Sequence, residues 1–367
     1  MSRPSSATRS LEQPHDTQAP LDVLLLYNEP LLSADDPDWA SEAGVLESVE
    51  AVQAALLARG HRVRKLGVGA SVEEFLARLP EIGAADVVFN LFEGFGGVGR
   101  GEAEIAGLLE LLGYPLTGSG AECLALVRHK ARTKWLLAGA RVATPKFCLV
   151  PADAPVDEHA VTALLAEGPV IVKPAHEDAS LGIEDSSICT DRAALVRQVD
   201  TVRVRYGAVL VEQFIVGREF NAAVLAIGEP RLLPLAEIEF SGAGPRGWQI
   251  VTYEAKWAVD SAADRATPPR CPANVEPALA RRLSDVALAA FRLTACRDYA
   301  RVDMRMDDAG RVYVLEVNGN PDIGPSAGFA RALRVAGISY ENFVDDMVRQ
   351  TAAEWALRAP GIRKLVV

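Results

Sequence analysis

The chain has 367 residues, 49% of them hydrophobic, and a formal net charge of -11. This is enough for two or three domains with a large core. The acidic balance excludes nucleic acid as the main partner, because a phosphate backbone needs a basic surface, but it leaves open a nucleotide, which needs only a local basic pocket. Cys123, Cys148, Cys189, Cys271 and Cys296 are odd in number, widely spaced and without a CxxC pair. They therefore read as buried free thiols of a reducing compartment rather than a disulfide framework or a thiolate zinc site.

Residues 1–20 are polar, rich in Ser, Pro and Thr, and lack the apolar stretch of a signal peptide; a disordered tail is expected. There is no apolar run of about 18 residues to span a membrane, so the expectation is a cytoplasmic protein. Leu21 to Tyr27 is a short apolar run typical of a buried parallel strand. A helix over 41–59, stopped by Gly60, a strand over 61–66, a helix over 72–79, a buried strand over 86–92 and a helix over 102–112 follow. This βαβ alternation predicts an α/β fold with a parallel sheet. After the Thr117-Gly118-Ser119-Gly120 loop, one helix is predicted over 122–138. The character then changes to strands over 170–172, 209–214, 219–227 and 231–240. Mobile loops are expected over 241–247 and 261–277, with a closing helix over 340–357. Boundaries are placed near residues 20, 122 and 212: a tail, an N-terminal α/β domain (21–122), a central subdomain (123–212) and a C-terminal subdomain (213–367).

The strongest local signal is YARVDMRMDDAGRVYVLEVNGN, residues 299–320. Two alternating runs flank Asp307-Asp308-Ala309-Gly310, a good hairpin turn. Strand side chains alternate faces. With Met306 opposite Arg311, Asp303 faces Val314 and Arg301 faces Glu316. Arg301, Asp303, Glu316 and Asn318 then share one face, and Val302, Met304, Leu315 and Val317 point into a core. Carboxylate and amide oxygens suit magnesium better than zinc, and an adjacent arginine suits a phosphate or an oxyanion. A solvated hairpin face with a surface salt bridge is the plainer alternative. Lys173, at the end of the apolar PVIVKP run, is oddly placed for a solubilising charge. With Lys130 and the carboxylate face, it has the makings of a triphosphate site.

Taken in order, LLELLGYPLTGSG, HKARTK, VIVKPA, VLVEQFIVGREF, LPLAEIEF, YEAKW, RVDMR, YVLEVNGNP and AGISYENFV resemble the ATP-grasp ligases, and among them the D-alanine–D-alanine ligase group. The similarity runs from about Asp86 to the C-terminal helix, with a weaker match from Leu21. The resemblance implies three α/β subdomains, with ATP clamped between the last two. Lys130, Lys173 and Lys256 are similar to the phosphate-binding lysines. Glu212, Gln213, Phe214 and Ile215 match the hinge along the adenine, and Glu219 the carboxylate on the ribose. Asp303, Glu316 and Asn318 match the ligands of two magnesium ions, for which manganese can substitute. Arg301 matches the arginine that stabilises the reacting phosphoryl and tetrahedral species. A homodimer is common among similar ligases.

The chain departs from the group's pattern at positions that handle substrate. The loop after VKP reads Ala175-His176-Glu177-Asp178-Ala179-Ser180-Leu181-Gly182, with Ala179 in place of the first of two serines and only Ser180 left for a catalytic role. Trp257 replaces the tyrosine after the YEAK lysine. Since alanine has no hydroxyl and an indole only donates, the group's serine–tyrosine network with a glutamate near the N-terminus cannot form in its usual way. Asp322 stands where a glycine is usual, able to repel a carboxylate or pair with an amine, and Ser326 is the candidate to hold the second substrate. Glu93, Arg100, Glu177 and Asp178 are further substrate candidates, and His176, Glu177, Asp178, Glu42 and Glu47 are candidate bases. Gly94 to Gly99 satisfies GxGxxG, but the following helix begins after the glycines and no acidic strand end follows. A nicotinamide site is therefore disfavoured.

The expected reaction is ADP-forming amide or peptide bond synthesis through an acyl phosphate, with 241–257 as a lid that excludes water. An amino acid or peptide other than D-alanine is the expected substrate. A D-alanine–D-alanine ligase and a non-catalytic nucleotide-binding protein are the alternatives.

Overall fold

The structure, a computed structural model, describes residues 19–358 apart from 34, 37, 38, 70, 96–100 and 242–246. Arg100, most of the GxGxxG segment, residues 242–246 of the expected lid and residues 1–18 of the expected tail lie outside the described residues. The N-terminal part contains β1 (Asp22–Asn28), α1 (Trp39–Ala43), α2 (Val45–Ala58), β2 (Arg62–Val68), α3 (Val72–Arg78), β3 (Val87–Leu91), α4 (Glu102–Leu111) and α5 (Ala121–Arg128). Its strands form a parallel sheet in the order β2-β1-β3, extended by a parallel bridge from Val88 to Leu116. β3 is buried along its whole length, as its apolar run requires.

Next come α6 (Lys130–Gly139), β4 (Phe147–Val150), α7 (Glu158–Glu167), β5 (Val170–Pro174), β6 (Ile188–Cys189), α8 (Arg192–Tyr206) and β7 (Val209–Gln213). Their strands pair antiparallel as β4-β7-β5-β6. The last part has β8 (Arg218–Leu225), β9 (Arg231–Leu232), β10 (Ala236–Ile238), α9 (Tyr253–Trp257), α10 (Ala262–Ala266), β11 (Pro269–Arg270), α11 (Pro277–Leu293), β12 (Tyr299–Met306), β13 (Val312–Asn318), α12 (Gly328–Val335) and α13 (Tyr340–Arg358). The sheet runs β11-β10-β8-β12-β13, with β9 beside β8. Between the two antiparallel sheets the chain turns at Gly217, where φ is +142°. A Cβ there would lie 2.0 Å from the Met306 carbonyl oxygen, so only glycine fits.

Four expectations are corrected. The helix predicted over 41–59 breaks at Gly44, a poor helix former whose missing Cβ would come within 3.0 Å of the Trp257 ring. The helix predicted over 122–138 breaks at His129, which leaves helical geometry at φ -89°, ψ 85°, while the Lys130 N–H donates to the Ala175 carbonyl at the end of β5. The strand predicted over 231–240 is two short strands, because Pro234 between them has no N–H for a ladder. The loop predicted over 261–277 contains α10, capped by the Ser261 hydroxyl, and β11.

The C-terminal helices return to the first domain. Phe329, Phe343, Val344 and Met347 pack in one core with Val23, Leu25, Val49 and Phe89. His61 locks this contact: its Nδ1 accepts from the Leu21 N–H at 3.0 Å and its Nε2 lies 2.8 Å from the Asp345 carboxylate, with His61 and Asp345 both buried. Among the described residues, no helix is long and apolar enough to cross a membrane.

Candidate active site

The β12–β13 hairpin builds the centre of the site. Arg301 is opposite Asn318 and Asp303 opposite Glu316, and a bulge after Asp303 then shifts the pairing to Met304–Val314 and Met306–Val312. The expected register of Asp303 against Val314 and Arg301 against Glu316 is therefore corrected. The bulge adds one residue to β13, so Val314 rather than Leu315 enters the core, beside Val302, Met304 and Val317. Arg301, Asp303, Glu316 and Asn318 nevertheless occupy one face.

Asp303 is buried and held by Arg301 through two bonds of 2.8 Å, by Asn318 Nδ2 at 3.1 Å and by Asn221 Nδ2 at 2.7 Å. Asn221, which sequence reasoning missed, faces Asp303 from β8 and alternates with Glu219, the signal that would have found it. Burial alone would raise the Glu316 carboxyl, but the positive charges of Lys130, Lys173, Arg301 and Lys256 outweigh it and hold it down at about 2.

Among the described residues there is no cluster of three or more His, Cys, Asp or Glu side chains fit to hold a metal. Asp303, Glu316 and Asn318 instead offer two carboxylates and an amide, all hard oxygen donors. Such a set fits magnesium, which is usually bound by one or two carboxylates together with phosphates and water. Asp303 is already saturated, so ligation requires one of its present donors to give way.

Lys130 and Lys134 on α6 and Lys173 on β5 come from the central part of the chain. The break at His129 makes Lys130 the first residue of α6. Its buried amine reaches the Glu177 carbonyl at 2.7 Å, the Asp178 carboxylate, and Glu316 at 3.4 Å, bridging the two antiparallel sheets. Lys173 ends the buried β5 run and lies 2.7 Å from Glu212 on β7; Lys134 lies 2.7 Å from the other oxygen of the same carboxylate. Burial lowers the Lys134 amine to about 8, with the attraction of Glu212 opposing it. Lys134 was legible as the i+4 neighbour of Lys130 on one helical face. Lys256, in α9, has its amine 5.0 Å from the Trp257 ring centre.

On the adenine side of the expected nucleotide, Arg305 was also missed. It is the next same-face residue after Arg301 and Asp303, and it lies on Glu219 at 2.7 Å. It also donates to the Ile215 carbonyl at 2.8 Å and to the Gln249 carbonyl, and stacks on Phe214 at 4.6 Å. The N–H groups of Gln213 and Phe214 donate to Lys146 and Pro169 carbonyls, so along this hinge several backbone groups already have partners.

A cavity of about 160 Å³ opens beside the hairpin, where all three parts of the chain meet. Arg301, Asn318, Lys256, Glu93, Glu177, Asp178, Trp257 and Asp322 line it, together with Asn28, Glu42, Glu102 and Arg128. Ser180 and Ser326 do not. Ser180 belongs to a turn in which it and Ala179 both have positive φ, and Ser326 donates to Glu47 at 2.7 Å. Trp257 Nε1 donates to the Ala179 carbonyl at 3.0 Å, so the indole grips the loop backbone where a hydroxyl network was excluded. Glu93 is open to the cavity yet enclosed by protein, and that enclosure, with Asp322 nearby, pushes its carboxyl up to about 7. Burial likewise pushes Glu102 up to about 8, against a bond from Asn320. Burial and the neighbouring His129 and Arg128 lower His176 to about 4.

Residues 138–349 match the family described as "D-ala D-ala ligase C-terminus". The chain belongs to the D-alanine–D-alanine ligase family. It is 36% identical over 306 residues to the D-alanine–D-alanine ligase of Desulforudis audaxviator, covering 83% of this chain and 92% of that one. It is 33% identical over 305 residues to the uncharacterized protein y4sG of Sinorhizobium fredii, covering 82% and 85%. Its fold is similar to that of the D-alanine–D-alanine ligase from Bacillus anthracis complexed with ATP (TM-score 0.72, 19% identity, 92% and 100% covered). The VanG D-Ala:D-Ser ligase from Enterococcus faecalis is also similar (TM-score 0.69, 18% identity, 91% and 100% covered). The fold is thus ATP-grasp. By family, the chain is an ATP-dependent carbon–nitrogen ligase that acts on small molecules, in a family that generally uses ATP and magnesium.

Proposed function

We propose that the chain joins two amino acids in an ADP-forming reaction, with D-alanine as the first substrate to test. The carrying observation is that Lys130 bridges to Glu316 while Arg301 and Asp303 stand on the same face, beside a cavity of about 160 Å³ that Arg301 and Asn318 line. The named relatives favour D-alanine. In this reading ATP lies between the central and C-terminal subdomains (boundaries near 122 and 212). Lys130, Lys173 and Lys256 hold its phosphates, Glu219 the ribose and 212–215 the base.

Phosphoryl transfer to a carboxylate needs alignment and charge neutralisation more than covalent help. The lysines spread the charge of the γ-phosphoryl as it moves to the carboxylate, giving ADP and an acyl phosphate. Arg301 then stabilises the oxyanion as the amine attacks and phosphate leaves. Asp303, Glu316 and Asn318 would hold one or two magnesium ions, or manganese, which would supply further charge neutralisation. Trp257 and Ala179 close one wall and keep water out.

A second reading, with at least one substrate other than D-alanine, is favoured by Asp322 in the cavity wall and by the Trp257–Ala179 contact. Phosphate release from ATP and magnesium, measured with D-alanine alone and with pools of other amino acids, separates the two. Release with D-alanine alone at ordinary enzyme rates supports the first reading, and release only with another pool supports the second. No release with any pool refutes both. Lys173→Ala is the control.

A further inference from the structure

The charge of the cavity wall is unbalanced. Glu42, Glu93, Glu102, Glu177, Asp178 and Asp322 line it, against the cations Arg128, Lys256 and Arg301. Two of these carboxylates lie within ion-pair distance of a cation: Asp178 is paired with Lys130, and Glu177 lies 3.9 Å from Arg128; Lys256 acts on Glu93 and Asp322, and Arg301 on Asp322, only at longer range. Glu42, Glu93, Glu102 and Asp322 form no ion pair with any described residue.

Asp322 is the best positioned of them. The Ser48 hydroxyl and the Gly324 N–H both donate to its Oδ1, at 3.1 and 2.8 Å, which orients the carboxylate and leaves Oδ2 without a described bond. A second, independent sign is Glu42, 5% exposed. Its Oε2 accepts from the Leu31 and Leu32 N–H groups, while its buried Oε1 has no partner. A buried polar oxygen without a partner is costly and calls for an explanation. Glu42 with its orphaned oxygen, together with the exposed carboxylates of Asp322 and Glu93 on the same cavity, is what a cationic ligand would satisfy.

We propose that one of the two joined substrates carries a second positive charge besides its reacting amine. It would be a basic amino acid or a diamine, with the extra ammonium received by Asp322 and Glu93. Asp322 is then a specificity-determining residue. The inference rests on the ligase reading and narrows the substrate class of that same site.

The test compares ornithine with norvaline, which has the same carbon chain without the terminal amine. Each is supplied in both chiralities, alone and with D-alanine, while ADP and phosphate release are followed and the product is weighed by mass spectrometry. The expected result is a kcat/KM for ornithine about tenfold or more above that for norvaline, because an oriented carboxylate gains a charge-assisted hydrogen bond that norvaline cannot supply. In Asp322→Asn the ratio falls towards one, mainly through KM for ornithine, and Glu93→Gln lowers it in the same direction. Norvaline or D-alanine matching ornithine in the unmodified protein overturns the inference and leaves the ligase reading intact. Phosphate release with no substrate combination overturns both.

Discussion

Lys134 and Lys173 hold the two oxygens of one buried carboxylate, Glu212, each at 2.7 Å. The phosphate-binding candidate Lys173 is thus fixed by a residue of β7, and Glu212 is fixed by a lysine of α6. Removing one partner of a buried pair leaves an uncompensated charge. Lys134→Met is therefore expected to destabilise the protein by about 3 to 5 kcal/mol, read as a lower urea midpoint at unchanged slope. A midpoint within error of the unmodified protein would mean that Glu212 is satisfied by Lys173 alone.

Lys173→Ala and Asp303→Asn are expected to lower ADP formation roughly a hundredfold or more, each removing an electrostatic contact that is typically worth about 3 to 4 kcal/mol in the transition state. Steady-state turnover, with folding checked by circular dichroism, decides it. Near-normal rates in either variant would remove that residue from the phosphate or metal site.

Trp257→Phe keeps the aromatic ring and deletes the donor to the Ala179 carbonyl. A single hydrogen bond contributes about 1 kcal/mol net, so amino-acid KM should rise about fivefold with little change in KM for ATP. Equal changes in both would show that the indole orders the whole lid rather than the amino-acid wall.

Asp298 gives a pH signature. Burial raises its carboxyl to about 6, against the bond it accepts from the Gly118 N–H at 2.6 Å. A carboxyl whose folded pKa is raised keeps its proton where the unfolded chain has lost it. Its contribution is present below about pH 4 and is lost as pH rises through about 6. The stability difference between Asp298→Asn and the unmodified protein should therefore shift in favour of the variant between these values, measured by urea unfolding at several pH values. A pH-independent difference would contradict this.

The parts of the fold that could be read from sequence were those whose signal is local. The buried runs of β1, β3, β5 and β7 and the hairpin turn at 307–310 were legible because apolar strands and glycine turns carry their pattern within a few residues. α8, whose apolar positions are thinned by five basic and acidic side chains, went unassigned. The break at His129 shows how local pattern is overruled, here by the Lys130 N–H donating to the Ala175 carbonyl just past β5.

By itself, the sequence determined the family, the alternation that places Arg301, Asp303, Glu316 and Asn318 on one face of the hairpin, and the departures at Ala179, Trp257 and Asp322. Only the tertiary structure decided that a bulge pairs Asp303 with Glu316, that Asn221 and Arg305 complete the face, and that Glu42, Glu93 and Asp322 line the same cavity. Residues far apart in the chain meet only when separate sheets close on one another, and neither spacing nor periodicity records that closure.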